Sequence, residues 1–275
     1  ASREYKPGNF NDYLNQMKTL ALHLMNIRPS MGTINNQVGD ILFRLVEKSK
    51  TTSNLKEMKI FFNNKVKMLN RNSERNMIDV TKNCIKLFPN QCTILTHSYS
   101  STVIGAIKFA YNKKKKIQVI VTESRPLFEG RKTANELSEY GVLTTLVTDA
   151  AAGLFIKNVD MVLLGADSLL TNGEVINKSG TYPIALAAAY QGIPVYIAAD
   201  TGKINLRSYF TQILLEEKET SEIWMNPPSN VSIRNLYFDT TPKFFITRVI
   251  TEMQKIRPEE LLDLSREFIM DRYII

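Results

Sequence analysis

The sequence predicts an α/β protein: an N-terminal helical domain followed by a domain built on a mostly parallel sheet. Three observations predict it. Residues 1–88 carry apolar side chains at helical spacing and no strand-like run. Beyond Pro89, short β-rich apolar runs alternate with helical stretches. Each of those runs then stops abruptly in hydroxyls, carboxylates or cations. The boundary is expected at the change of pattern, giving a helical domain over 1–88 and a sheet domain over 89–275.

The helices are justified in order. "FNDYLNQMKTLALHLMNI" repeats apolar residues every three to four positions, and Pro29 ends it. "MGTINNQVGDILFRLVEKSK" is a second amphipathic helix. "NLKEMKIFFNNKVKMLNRNSERNMIDVTKNCIKLF" covers one long helix or two. His23 falls in the first helix as a packing or surface residue, since no Cys, Asp or Glu stands beside it at metal-site spacing.

The strands follow. "TILTH", "IQVIVT", "VLTTLVT", "MVLLGA" and "PVYIAA" are separated by helical segments such as "STVIGAIKFAYN", "RKTANELSEYG" and "TYPIALAAAYQG". This alternation is βαβ repetition, which predicts a parallel, Rossmann-like sheet with helices on both faces. The near-continuous apolar character of the strands fits burial on both sides. The last third, "NLYFDTTPKFFITRVITEMQKIRPEELLDL", adds a strand or loop and a closing helix.

Composition narrows the function. With 275 residues, 44% hydrophobic, the chain can bury a large core. No apolar run is long enough to span a bilayer, and "ASREYKPGNF" lacks the apolar core of a signal peptide. A cytoplasmic protein without membrane contact is therefore expected. Cys84 and Cys92 offer neither a metal spacing nor a disulfide framework, and no metal or cofactor is expected. The net charge of +8 suits phosphorylated ligands, nucleic acid or an acidic partner. The one dense basic run, Lys113 to Lys116, lies between a helix and a strand and reads as a solvated turn.

The strand ends carry the chemistry. They read Thr96-His97-Ser98, Thr122-Glu123-Ser124-Arg125, Thr148-Asp149, Gly165-Ala166-Asp167-Ser168 and Asp200-Thr201-Gly202-Lys203. Parallel α/β sheets bind ligands outside the carboxyl ends of their strands. Any one of these residues is simply explained as a helix N-cap; five such ends together point to a small-molecule site. The cluster Thr96, Ser98, Tyr99, Ser100 lies where a helix begins, and backbone N–H groups and hydroxyls there suit phosphate oxygens. Arg125, Lys178 and Lys203 supply positive charge. Asp167 is a carboxylate at the end of an apolar run, suited either to moving protons or to a cap or ion pair.

The segments "ILTHSYSSTVIGAI", "VTESRPLFEGRKTANEL", "DAAAGLF", "VLLGADSLLTNGEVINKSGTYPIALAA" and "PVYIAADTGK" resemble one superfamily, from about Ile94 to Lys203 and more weakly through "YFDTTPKFFIT". It joins the regulatory subunits (alpha, beta, delta) of eukaryotic translation initiation factor 2B to isomerases of methylthioribose 1-phosphate and ribose 1,5-bisphosphate. The resemblance implies a helical domain before a Rossmann-like one, and dimerisation through the C-terminal domain. In the isomerases it assigns proton transfer between C1 and C2 to a cysteine after Thr-His and to the aspartate of Gly-Ala-Asp. Those positions here are Ser98 and Asp167. A serine hydroxyl is far less acidic than a thiol and needs an adjacent base. His97 is poorly placed for that, because neighbours on a strand point to opposite faces.

A second departure lies at "NIRPSMG", where the isomerases have Arg-Gly-Ala. Arg28 remains, but Pro29 removes a backbone donor. The expected ligand-binding set is Arg28, Thr96, Ser98, Tyr99, Ser100, Arg125, Asp167, Asn177, Lys178 and Lys203. With the thiol absent, the chain reads as an initiation factor 2B-like regulatory subunit. It would bind a sugar phosphate or nucleoside monophosphate, as a homodimer or higher homo-oligomer, with a translation initiation factor as a further partner. The alternative is an isomerase of a 1-phosphorylated ribose using Asp167 and Ser98. "FFITRVI" and "EELLDL" are the segments expected at the dimer contact.

Overall fold

The computed structural model describes residues 9–273. Three helices come first: α1 (Phe10–Ile27), α2 (Gly32–Ser49) and α3 (Leu55–Cys84). Asn9 caps α1 by accepting from the Asp12 N–H, and Asn54 caps α3 through Lys56 and Glu57. Arg28 leaves helical geometry at φ −134°, as the residue before a proline does. No glycine or proline interrupts 55–84, and α3 forms one helix of 30 residues. Tyr13, Leu45 and Met58 are the buried centre of the three-helix layer.

The alternation follows: β1 (Gln91–Thr96), α4 (Ser101–Asn112), β2 (Lys116–Thr122), α5 (Glu129–Glu139), β3 (Leu143–Val147), α6 (Ala152–Ile156) and β4 (Met161–Leu164). A hairpin of β5 (Ser168–Leu170) and β6 (Val175–Lys178) comes next, then α7 (Thr181–Tyr190), β7 (Val195–Ala198) and β8 (Ile204–Asn205). The chain closes with β9 (Phe238–Thr241), β10 (Arg248–Ile250), β11 (Lys255–Ile256) and α8 (Leu261–Tyr273).

The main sheet has seven strands in the order β11-β10-β7-β4-β1-β2-β3. All are parallel except β11. Successive strand residues face opposite sides. Ile94, Met161 and Leu163 therefore join α3, α4 and α5 on one face, while Leu95, Val162 and Leu164 pack with α6 and α7 on the other. A second sheet, in the order β8-β5-β6-β9, was not anticipated from the sequence.

The order of strands fixes where a ligand can sit. From β1 the chain builds outward to β2 and β3. It then returns to the other side of β1 to add β4, β7 and β10. The direction reverses between β1 and β4, and the carboxyl ends of those two strands are where open α/β sheets bind their ligands. The start of α2 is pinned to the same edge. The Gly32 N–H donates to Ser168 Oγ at 2.7 Å, and Asn36 Nδ2 donates to the carbonyls of Gly202 and Ile204 at 2.9 and 2.6 Å.

The segments expected at a dimer contact mostly complete the core. Ile246, Val249, Ile250, Leu261 and Leu264 are buried, and in the first segment Phe244 alone is strongly exposed. Exposed apolar side chains occur on several elements, and three of them, Tyr182, Leu186 and Tyr190, lie on α7. The lysine run is the expected turn, exposed except for Lys115, which donates to the Phe88 carbonyl, and Lys114 sits at φ +62°.

Candidate functional site

The site is a seam at the reversal point. On the β1 side the strand ends at Thr96, and His97 and Ser98 make the turn into α4. Ser98 takes φ +64°, a left-handed conformation that costs a non-glycine residue roughly 1 kcal/mol and needs support. The support is visible. The Ser98 N–H donates to Ser124 Oγ at 2.7 Å, and the Ser98 carbonyl accepts from Thr133 Oγ1 at 2.7 Å. Ser100 caps α4 by accepting from the Val103 N–H at 3.3 Å.

On the β4 side, Gly165 lets the two strand ends meet: a Cβ there would lie 2.7 Å from Ser100 Oγ. Asp167 follows two residues later, half-buried. Burial pushes its carboxyl above its ordinary range, against the pull of Lys203, Lys178 and Arg28, with Glu216 pushing the same way as burial. Three cations thus surround one carboxylate that desolvation keeps easy to protonate.

Those cations are largely engaged. Lys178, at the end of β6, is buried and donates to Glu129 Oε1 at 2.9 Å, with its ammonium 4.2 Å from the Tyr237 ring centre. Lys203 donates to the Ala166 carbonyl. Arg28, at the elbow between α1 and α2, reaches Met31 Sδ at 3.6 Å. Arg125 is exposed, lies over the Phe128 ring at 4.9 Å and donates to the Ile223 carbonyl at 3.4 Å. Its loop is held by Asp149, which accepts from the Ser124 and Arg125 N–H groups at 2.7 Å each.

The expected cradle is narrower than the sequence suggested. Arg28, Lys178 and Lys203 act on Asp167 at the seam, and Ser100 lies against Gly165 there. Thr96 is buried at the last position of β1, where the sheet closes over it. Tyr99 turns to α5, its hydroxyl donating to Glu136 and its ring lying under the Lys132 ammonium. Asn177 is buried, its amide donating to Thr181 Oγ1 at 3.0 Å. The Ser98 N–H, expected to be free, is taken by Ser124. Both cysteines are buried with thiols pushed up to about 12, remote from Ser98 in function and in the wrong ionisation state to replace a reactive thiol.

Several residues of the site were not foreseen. Glu129 starts α5 and faces Lys178. Tyr237 stacks beneath it and donates to Glu222 Oε2 at 2.5 Å; burial, with that carboxylate beside it, pushes its phenol well above the ordinary range. Asp239 caps the start of α7 by accepting from the Gly180 and Tyr182 N–H groups at 2.8 and 3.0 Å. The only sequence signal for them is position: Glu129 opens the helix that follows β2, and Asp239 and Tyr237 lie in the weakly matching segment. Among the described residues no group of three or more metal-ligating side chains is clustered, and no helix is long and apolar enough to cross a membrane.

The family model described as the Initiation factor 2 subunit family matches residues 1–258. The chain belongs to that family. Among its relatives, the ribose 1,5-bisphosphate isomerase of Thermococcus kodakarensis is 32% identical over 271 residues, covering 95% of this chain and 83% of that one. The methylthioribose-1-phosphate isomerase of Heliobacterium modesticaldum is 39% identical over 195 residues, covering 64% of this chain and 56% of its own length. Among solved structures, the translation initiation factor eIF-2B of Pyrococcus horikoshii superposes with a TM-score of 0.80 at 29% identity, covering 94% of this family member and 86% of that chain. The α/β architecture with its helical N-terminal layer is the architecture of that structure.

Proposed function

We propose that this family member is a sugar-phosphate isomerase acting on a 1-phosphorylated ribose such as ribose 1,5-bisphosphate. The observation that carries the reading is Asp167: a desolvated carboxyl with a raised pKa, at the reversal point of a parallel sheet, flanked by Arg28, Lys178 and Lys203. The similarity to a ribose 1,5-bisphosphate isomerase over almost the whole chain supports it. This reverses the preference given by the sequence, where the missing thiol outweighed the rest.

The chemistry follows from the groups present. The cations neutralise phosphate charge and fix the ribose. Converting the aldose to the ketose breaks the C1–ring-oxygen, C2–H and C2 O–H bonds, places one proton on the ring oxygen and one on C1, and leaves a carbonyl at C2. A carboxyl that burial makes easier to protonate serves both halves: protonated, it donates to the ring oxygen on opening; ionised, it takes the proton from C2 and then delivers it to C1. Ser98 contributes a hydroxyl to orient the developing enediolate.

A second reading is a regulatory subunit that binds the same ligand without converting it. The observation favouring it is Ser98 itself, whose Oγ forms no hydrogen bond among the described residues and so has no base to activate it. We place the protein, in either reading, as a homodimer in the cytoplasm. The test is direct. Wild-type protein should convert ribose 1,5-bisphosphate to ribulose 1,5-bisphosphate, and Asp167→Asn should abolish conversion while retaining binding. Tight binding with no conversion by the wild type would establish the second reading in its place.

A further inference from the structure

His97 is fully engaged by groups from two separated parts of the chain. Its Nε2 lies 3.0 Å from the Ser179 carbonyl oxygen, and its Nδ1 lies 2.5 Å from Thr122 Oγ1 and 3.2 Å from Ser124 Oγ. A carbonyl only accepts, so Nε2 carries the proton. Nδ1 of the neutral ring is then the acceptor and takes a hydroxyl proton from Thr122 or Ser124. The ring is 2% exposed. Burial holds its pKa below the ordinary histidine value, against the opposing pull of Asp149, whose Oδ1 is 3.9 Å away, and of Glu129; Lys178 acts with burial.

The ring also packs face-on against Gly180. That residue has φ +113°, and a Cβ there would lie 2.9 Å from His97 Cε1 and Nε2. Only glycine satisfies both the dihedral and the contact. His97 therefore joins β1 of the large sheet to the Lys178-Ser179-Gly180 segment that leaves β6 of the small one. Through Ser124 Oγ, which accepts from the Ser98 N–H at 2.7 Å, it also sets the left-handed turn at Ser98.

We infer that His97, with its proton on Nε2, is the positioning residue that holds the Ser98 turn and the Lys178 segment in register across the reversal point. It touches neither substrate nor reacting atoms. It keeps Lys178 and the serine turn at a fixed separation, a task that demands a rigid ring with one donor and one acceptor. The assignment rests on the proposed function for its ligand measurement alone.

The chain has only two histidines, and His23 is exposed on α1, so imidazole nitrogen NMR of the full chain assigns both without ambiguity. His97 should show a protonated Nε2 and an unprotonated Nδ1 at pH 7. His97→Gln retains a donor and an acceptor, whereas His97→Phe retains only the ring. Amide exchange at Ser98 should be accelerated at least about tenfold in His97→Phe and less than about threefold in His97→Gln. The dissociation constant for ribose 1,5-bisphosphate should rise by about tenfold to thirtyfold in the Phe variant, the scale of one or two lost hydrogen bonds, and by less than about threefold in the Gln variant. Where His97→Phe fails to fold, His97→Asn, too short to bridge both partners, takes its place with the same expectation. A proton on Nδ1, or equal Ser98 exchange in wild type and the disruptive variant, overturns the assignment. A wild type that fails to bind the bisphosphate refutes the proposed function and leaves the tautomer and exchange results to decide this one.

Discussion

The Lys178–Glu129 pair offers a quantitative test of how the site is built. Lys178 is 5% exposed and Glu129 29% exposed, with 2.9 Å between the bonded atoms. At an effective dielectric constant of about 20, two charges some 3.5 Å apart attract by about 5 kcal/mol. Desolvation of the ammonium opposes this by several kcal/mol, so the pair as a whole stabilises little. Breaking it is another matter, because a charge is stranded. Lys178→Met leaves Glu129 without its cation, and its Oε2 already has no hydrogen-bond partner among the described residues. Partial exposure of the carboxylate puts the cost at the low end, about 3 kcal/mol. Glu129→Gln strands the buried ammonium but keeps an acceptor, at about 2 kcal/mol. The double variant should lose only about 2 kcal/mol, a coupling near 3 kcal/mol. For 275 residues, an unfolding entropy of about 0.6 kcal/mol/K turns 3 kcal/mol into a Tm loss of about 5 °C. The assay is a urea double-mutant cycle with parallel calorimetry. Single effects that add to within about 0.5 kcal/mol would show that the pair is screened by water, and the desolvated site described above would be wrong. The same Glu129→Gln change removes an anion from beside Lys178, the lysine we propose binds phosphate, so inorganic phosphate should bind about threefold to tenfold more tightly by titration calorimetry.

Three further outcomes are expected. Ser98→Cys places an ionisable thiol where the sequence resemblance implies one for an active isomerase, and should raise conversion of ribose 1,5-bisphosphate by about a hundredfold or more; an unchanged rate in an Asp167-dependent assay would show that Asp167 acts without a partner at that position. Asp239 has a carboxyl pushed up to about 6 by burial, so between about pH 4 and 6 the folded protein holds a proton that the unfolded chain has released. Stability should therefore fall as pH rises through that window, by at most about 3 kcal/mol and less as water screens the group, and urea melts of Asp239→Asn should lack this component. Light scattering at micromolar concentration should give a dimer, and Leu186→Glu, on the open apolar face of α7, should give a monomer; a wild-type monomer would refute that assembly.

The parallel sheet was legible because its strands are buried on both faces and read as apolar runs separated by amphipathic helices. The second sheet was not. β5 and β6 are three and four residues long and wholly buried, too short for a period to show, and only "TNG" marks the turn between them. At the site, position was legible and partnership was not. Asp167 and Lys203 announced themselves by following apolar runs, and Lys178 only as a further cation in "INKSGTY". That Lys178 is neutralised by Glu129, 49 residues away, or that His97 is bound to a carbonyl 82 residues on, follows from the crossing of two sheets. His97 was read correctly as no base for Ser98, but for an incomplete reason: the strand has ended before it, and both its nitrogens are already in use.

The elbow at Arg28 has one more consequence. Arg28 arrives with the helical layer, while Asp167 and Lys203 belong to the sheets, and the seam is sewn by Gly32, Asn36 and the Ser30–Glu216 contact. A ligand gripped from both sides is a rivet between layers. Filling the seam resists any force that lifts the helices, and whatever grips the outer surface of those helices alters, by the same free energy, how firmly the ligand is held. The two faces of the molecule share one thermodynamic ledger.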